Sequence, residues 1–187
     1  MDFSTTPIPG LLEFTTTPYR DDRGFFSRTF EADTARAAGL EPEAFVEDSL
    51  SRSLGGVVRG IHVRTGRGEG KLVRCSHGRV FDVVVDLRPT SPTYLTWLSF
   101  ILDGDVQNSI YVPPGCGHAF QALTPLADTS YRIDRRHDPS ENLTICHDDP
   151  DLAIPWPLPV TVQSAGDRDA RTLAELPQDL GRILAAP

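Results

Sequence analysis

Apolar residues fall in short runs, each closed by Gly, Pro, Asn or Asp, along the whole chain. Runs rich in β-branched and aromatic residues cover positions 11–17, 24–30, 56–63, 71–75, 79–87, 94–102, 109–112, 119–123 and 129–133. Such residues suit a pleated, half-covered surface better than a helix. Within 79–87 the series Val80-Phe81-Asp82-Val83-Val84-Val85-Asp86 holds three consecutive valines, the mark of a buried strand. Helical patterning is confined to two places. Residues 31–39 are Ala-rich and end on Gly39, a helix stop signal. Residues 170–184 read as short helical turns interrupted by Pro177. The 15 Gly and 16 Pro are spread from end to end rather than pooled in a linker, and no internal repeat is present. Many short strands with little helix predict a mainly β protein, a closed barrel or sandwich, in one domain over residues 1–187.

Charge narrows the partners. The 187 residues carry 18 Lys plus Arg against 26 Asp plus Glu, a net charge of −8. With no basic run, broad nucleic-acid binding and adhesion to acidic membranes are not expected. The apolar stretches are too short to span a bilayer, and the N-terminus lacks a charged-then-apolar leader pattern. Cys75, Cys116 and Cys146 form no close-spaced pair, so a cytoplasmic protein with reduced thiols is expected. The basic residues are seventeen Arg and a single lysine, Lys71. A lone ammonium at the head of a buried strand is notable, because its compact charge does what a planar guanidinium does not.

Several chemistries fail on spacing. The stretch Gly66-Arg67-Gly68-Glu69-Gly70-Lys71 has the composition of a phosphate loop, but Thr65 stands at its first Gly and Leu72 follows the lysine. No Gly-x-Ser-x-Gly elbow and no strand–GxGxxG–helix unit occurs. Cys116 near His118 is not by itself a nucleophile–base pair. Two further segments, Gly60-Ile61-His62-Val63-Arg64 with Glu69 and Pro113-Pro114-Gly115-Cys116-Gly117-His118, resemble the two motifs of cupin β-barrels. In metal cupins a second histidine belongs where Arg64 stands, and a guanidinium has no lone pair to give a cation. His62, Glu69 and His118 remain as a three-ligand alternative. His62 and His118 on adjacent barrel motifs, with Arg59 and Lys71 close in sequence, otherwise point to a ligand site.

The resemblance then becomes specific. Asp22-Arg23-Gly24-Phe25-Phe26, Ser51-Arg52-Ser53, Gly56-Val57-Val58-Arg59-Gly60-Ile61-His62 and Gly70-Lys71-Leu72-Val73-Arg74 come first. Gly78-Arg79-Val80-Phe81-Asp82-Val83, Val112-Pro113-Pro114-Gly115, His118-Ala119-Phe120, Tyr131-Arg132 and Asp148-Asp149-Pro150-Asp151-Leu152 follow in order. Over nearly the whole chain the sequence resembles the dTDP-4-dehydrorhamnose 3,5-epimerase family. That resemblance implies a cupin-type jelly-roll barrel and epimerisation at C3, C5 or both of a dTDP-4-keto-6-deoxyhexose, without metal or other cofactor. It implies that His62 is the general base, oriented by Asp167, that Lys71 stabilises the C4 oxyanion, and that Tyr131 returns a proton on the far face. His118 is expected to support the oxyanion or the sugar hydroxyls. Arg59 and Arg23 are the expected diphosphate contacts, with Phe26, Glu47 and Ser51 also in the substrate site. In the family Arg23 and Phe26 come from a neighbouring subunit, which implies a homodimer with strand exchange.

Departures lie around this set. Val63-Arg64 replaces an aromatic residue and Gln after the base, Arg28, Glu47 and Ser49 replace Glu, Gln and Asn, and Gly166 replaces a basic residue before Asp167. Arg135-Arg136-His137 occupies a stretch usually rich in tyrosine, and Cys146-His147 replaces Arg-Trp. An intact acid–base set with an altered periphery is the pattern expected of a specialised antibiotic-sugar epimerase acting at one carbon. A 3,4-ketoisomerase of the same ligand, a metal-dependent oxygenase and a silent sugar-binding cupin are the competing expectations.

Overall fold

The computed structural model describes residues 1–176 and 180–183. Thirteen strands carry it: β1 (Asp2–Thr5), β2 (Leu12–Thr15), β3 (Tyr19–Asp21), β4 (Gly24–Phe26), β5 (Glu47–Leu54), β6 (Val58–Arg64), β7 (Lys71–His77), β8 (Arg79–Asp86), β9 (Trp97–Asp103), β10 (Ser109–Val112), β11 (Cys116–Ala122), β12 (Leu126–Ile133) and β13 (Asn142–Thr144). They form a six-stranded sheet in the order β1-β2-β10-β7-β12-β5, a five-stranded sheet in the order β13-β6-β11-β8-β9, and a separate β3–β4 hairpin. The two larger sheets face each other as a cupin-like jelly roll, the barrel that the family resemblance implied and one form of the mainly β architecture expected from the strand spacing.

Alternation sorts the side chains into two cores. Between the sheets lie Val73, Cys75, Val80, Val84, Ile110, Val112, Cys116 and Phe120. The opposite face of the five-stranded sheet, with Ile61, Val83, Val85 and Ala119, is covered by the C-terminal residues Ile145, Leu152, Ile154, Leu173 and Leu176. This is why the valine run is apolar on both faces: each side of β8 has a layer against it.

Helix α1 (Ala32–Ala37) lies inside the expected 31–39 segment. It ends where Gly39 takes φ of +81°, the Leu40 amide reaching back to the Ala35 carbonyl at 2.9 Å. Of the expected 170–184 turns, the described residues show a 3-10 turn at Leu173–Glu175, closed by a reciprocal Thr172–Glu175 cap, and a further turn in which the Ile183 amide reaches the Leu180 carbonyl at 3.0 Å. Pro177 lies outside the described residues. The expected strand at 24–30 is cut to Gly24–Phe26, because nothing pairs with the chain beyond the tight hairpin. Strand β5 had no apolar signal. Its sequence EDSLSRSL is largely exposed, and it is held by its backbone ladder to β12 at the sheet edge. Short helix α2 (Ala165–Arg168), also absent from the sequence pattern, starts on a Ser164 cap that accepts from the Asp167 amide.

Candidate active site

On β6 and β11, His62 and His118 are directly opposite partners, so both project from the same face of the five-stranded sheet, toward the barrel interior. The approach is close because residue 60 is glycine: a Cβ there would lie 2.6 Å from Ala119 Cβ, and its φ is +117°. From the facing sheet, β7 and β12 turn Lys71, Val73, Cys75 and Tyr131 inward. The edge of the Tyr131 ring meets the His118 ring at a centroid distance of 6.2 Å. One wall thus carries the two histidines and the other carries the lysine and the tyrosine.

Each histidine has a carboxylate. His62 Nε2 lies 2.6 Å from Asp167 Oδ1, and Asp167 Oδ2 accepts from Ser164 Oγ at 2.9 Å. Burial raises the affinity of Asp167 for a proton, but hydrogen bonds from His62, Ser164 and the Gly60 amide outweigh it and hold the carboxyl below its usual range. An ionised carboxylate only accepts, so Nε2 carries the hydrogen and Nδ1 keeps the lone pair. The His62 side chain is 50% exposed, open to a ligand, whereas Asp167 is 5% exposed. His118 differs in being buried; its Nε2 donates to both oxygens of Asp82 at 3.0 and 2.9 Å. Complete burial pushes the Asp82 carboxyl up, opposed by His118 and by the charge of Lys71.

Lys71 is buried, and its Nζ donates to Glu69 Oε1 at 3.4 Å. Tyr131 is driven upward from the ordinary phenol range, first by burial, with Ser51 and Arg59 opposing and Asp82 adding to the shift. Its hydroxyl lies 3.4 Å from Ser51 Oγ. Arg59 donates to Ser53 Oγ at 3.0 Å and to the Arg52 carbonyl at 3.1 Å. With Gln163, Ser164 and Asp167 it lines a groove of about 330 Å³ leading away from the dyad.

Other expected residues stand apart. Glu47 accepts from the His137 amide at 2.9 Å. Arg23 and Phe26 sit on the exposed β3–β4 hairpin, where Asp21 binds the Arg23 guanidinium and Phe26 is 68% exposed. The metal-ligand alternative is not assembled: His62, Glu69 and His118 do not converge among the described residues. Glu69 is taken by Arg64 and Lys71, and each histidine by its carboxylate. Cys116 is no nucleophile, since burial pushes its thiol up to about 12. Asp82 escaped the sequence reading, although a carboxylate inside a run of valines was a visible signal of a buried polar contact.

A cupin-type barrel whose mouth gathers two histidine–carboxylate pairs, a buried lysine and a buried tyrosine holds the groups that acid–base chemistry uses. The profile of the dTDP-4-dehydrorhamnose 3,5-epimerase family matches residues 5–175, and the chain belongs to that family. A dTDP-4-dehydrorhamnose 3-epimerase of Streptomyces niveus is 40% identical over 169 residues, 90% of this chain and 82% of that protein. NovW, a 4-keto-6-deoxy sugar epimerase from the novobiocin biosynthetic gene cluster of Streptomyces spheroides, superposes with a TM-score of 0.92 at 38% identity, covering 99% of this chain and 93% of NovW. The RmlC epimerase of Legionella pneumophila in complex with dTDP-4-keto-L-rhamnose gives 0.91 at 36% identity, covering 100% of this chain and 98% of that one.

Proposed function

We propose that this enzyme epimerises a dTDP-linked 4-keto-6-deoxyhexose through an enolate, with His62 as base and Tyr131 as acid. The observation that carries the assignment is their placement on opposite walls of one barrel, the base ring held by Asp167. A sugar ring seated between them exposes one face to each. His62 Nδ1 takes the proton at C3 or C5, and Asp167 stabilises the positive charge that the ring then carries. The C–H electrons pass to the C4 oxygen, where the Lys71 ammonium meets them in a water-poor site. Tyr131 returns a proton to the same carbon from the other face, which inverts it. Its phenol is protonated at neutral pH, as an ordinary phenol is, and burial only raises its hold on that proton. His118, with its Nε2 hydrogen committed to Asp82, offers its Nδ1 lone pair to a sugar hydroxyl, and no step calls for a metal or cofactor.

Arg59 is the diphosphate contact in the groove beside Asp167, with Ser51 and Glu47 toward the nucleotide. We infer that the working unit is a homodimer in which the partner's Arg23 and the partner's Phe26 complete that side. The support is that in one chain both side chains stand in solvent, and that the exposed edge strand β5 carries Leu50 and Leu54, 66% and 62% exposed. Among the described residues no helix is long and apolar enough to cross a membrane. A cytoplasmic site of action is supported by Cys75, Cys116 and Cys146, all of which are free thiols, the state that a reducing compartment maintains.

Incubation with dTDP-4-keto-6-deoxyglucose in heavy water, followed by NMR at C3 and C5, tests the assignment. Deuterium at one carbon defines a mono-epimerase and deuterium at both a double one. No exchange at either carbon overturns the reading for this substrate. A 3,4-ketoisomerase would instead relay the proton between neighbouring carbons on one face and leave Tyr131 dispensable.

A further inference from the structure

Arg64 lies two residues beyond His62 on the same face of β6, with its side chain only 5% exposed. Its Nε stands 2.6 Å from Glu69 Oε2. The other oxygen of that carboxylate, Oε1, is the one 3.4 Å from Lys71 Nζ. One nearly buried carboxylate therefore serves two nearly buried cations, one oxygen each: it sits closer to the guanidinium, in an ion pair without hydrogen-bond alignment, and accepts a long hydrogen bond from Lys71 Nζ. The far end of Arg64 is fixed as well. Nη1 donates to the Arg136 carbonyl at 3.2 Å and Nη2 donates to His137 Nδ1 at 2.8 Å.

We propose that Arg64 is a positioning residue: by taking the charge of Glu69, it leaves the Lys71 ammonium unneutralised and directed into the barrel mouth. The inference rests on the reading of Lys71 as the oxyanion partner. A buried carboxylate needs a cation, and with a neutral residue at 64 the only other cation ion-paired to Glu69 among the described residues is Lys71. The ammonium would then be drawn onto Glu69 and its charge would be spent there. With Arg64 present the cluster holds two cations to one anion, and the other carboxylate acting on Lys71, Asp82, is bonded to His118, so the ammonium keeps more of its charge for an enolate than it would beside a Glu69 with no second cation. The divergence at 64 noted in the sequence thus bears on the oxyanion site itself. Arg64 also ties the base strand to the loop carrying His137, whose amide holds Glu47.

The variants Arg64→Gln and Arg64→Gln/Glu69→Gln decide the matter. Because Lys71 is the only lysine, protein labelled with 15N at the lysine side chain gives one ammonium signal that reports this site without substrate. Arg64→Gln should shift that signal and lower kcat for deuterium exchange by about tenfold or more, with KM changed by less than about threefold, because the oxyanion contact acts in the transition state. Removing Glu69 as well should return the signal and restore kcat to within about threefold of the parent, as expected when a single coupled charge is cancelled. Arg64→Lys, which keeps the charge, should retain most of the exchange rate, and melting curves identify any variant that has failed to fold. An unchanged signal in Arg64→Gln overturns the proposal. So does a double variant as impaired as the single, which would assign Arg64 to loop anchoring alone. A parent enzyme that exchanges no proton would refute the epimerase reading instead, and the lysine signal would still decide the role of Arg64.

Discussion

The substitution Asp167→Asn removes one negative charge and leaves the outline of the site almost unchanged. Asp167 is nearly buried and its Oδ1 lies 2.6 Å from His62 Nε2, while the His62 side chain is half exposed. An ion pair at about 4 Å between charge centres is worth about 4 kcal/mol near a protein surface, and the half exposure of the ring reduces this to about 2 kcal/mol. The mutational worth of a hydrogen bond to a charged group, about 1.5–3 kcal/mol, brackets the same value. A loss of about 2–3 kcal/mol from the state in which the ring has taken the proton corresponds to a rate about 30- to 150-fold lower. A second effect acts in the same direction. The carboxamide introduced by Asp167→Asn can offer its NH2 to Nε2, which moves the ring hydrogen to Nδ1 and blocks the atom that should accept the substrate proton. The assay is the initial rate of deuterium entry at C3 and C5 under saturating substrate, followed by NMR. The N-terminal cap of α2 rests on Ser164 Oγ and the backbone amide of residue 167, so the melting temperature should move little. Exchange within about threefold of the parent rate would refute the assignment of this dyad as the base, because a charge-assisted bond is worth more than that.

Three further outcomes follow from the same geometry. Tyr131→Phe should keep deuterium exchange within about tenfold while abolishing inversion at the carbon it protonates, since general-acid groups contribute about 10²- to 10⁴-fold to the step they serve; inversion at the parent rate would remove Tyr131 from the mechanism. Lys71→Arg keeps the net charge but replaces a point charge with a fork too large for the space beside Glu69, and kcat should fall at least about tenfold; a fully active variant would show that the ammonium itself is not required. Asp86→Asn strips the buried Arg88 of a partner bonded at 2.8 and 2.9 Å and should destabilise the fold by about 3–5 kcal/mol at neutral pH, read by urea unfolding. Burial works against ionisation of Asp86, but bonds from Arg88, Ser91 and Thr93 outweigh it and hold the carboxyl below its usual range. Its contribution is therefore present above the ordinary carboxylate range and lost as pH falls through the lowered folded value, so the gap between parent and variant should close on acidification.

The hydrophobic and polar pattern was enough to mark most of the strand segments that form the cores, though not the order in which they pair. The valine run of β8 encodes burial locally, because a strand covered on both faces is apolar at successive positions, and the short β-branched and aromatic runs marked the cores of β10, β11 and β12 without any clean alternation. Glycine at 39 encoded a helix end in the same local way. The sequence also carried the residue types of an acid–base site, and the single lysine among seventeen arginines drew attention to position 71. Strand β5 was not legible, because an edge strand exposed on most of its length is specified by its neighbour's backbone rather than by its own apolar residues. The partnerships of the site were not legible either, except through likeness to a family. His62 and Asp167 are 105 positions apart, and His118 and Asp82 are 36 apart. Which carboxylate meets which ring depends on strand register and on how the C-terminal segment returns across the five-stranded sheet. The division of Glu69 between Arg64 and Lys71 has the same origin. Three charged residues close in sequence could have pointed anywhere, and only the inward positions of Arg64 at the end of β6 and Lys71 at the start of β7, with Glu69 in the loop between them and water excluded, make two cations share one carboxylate.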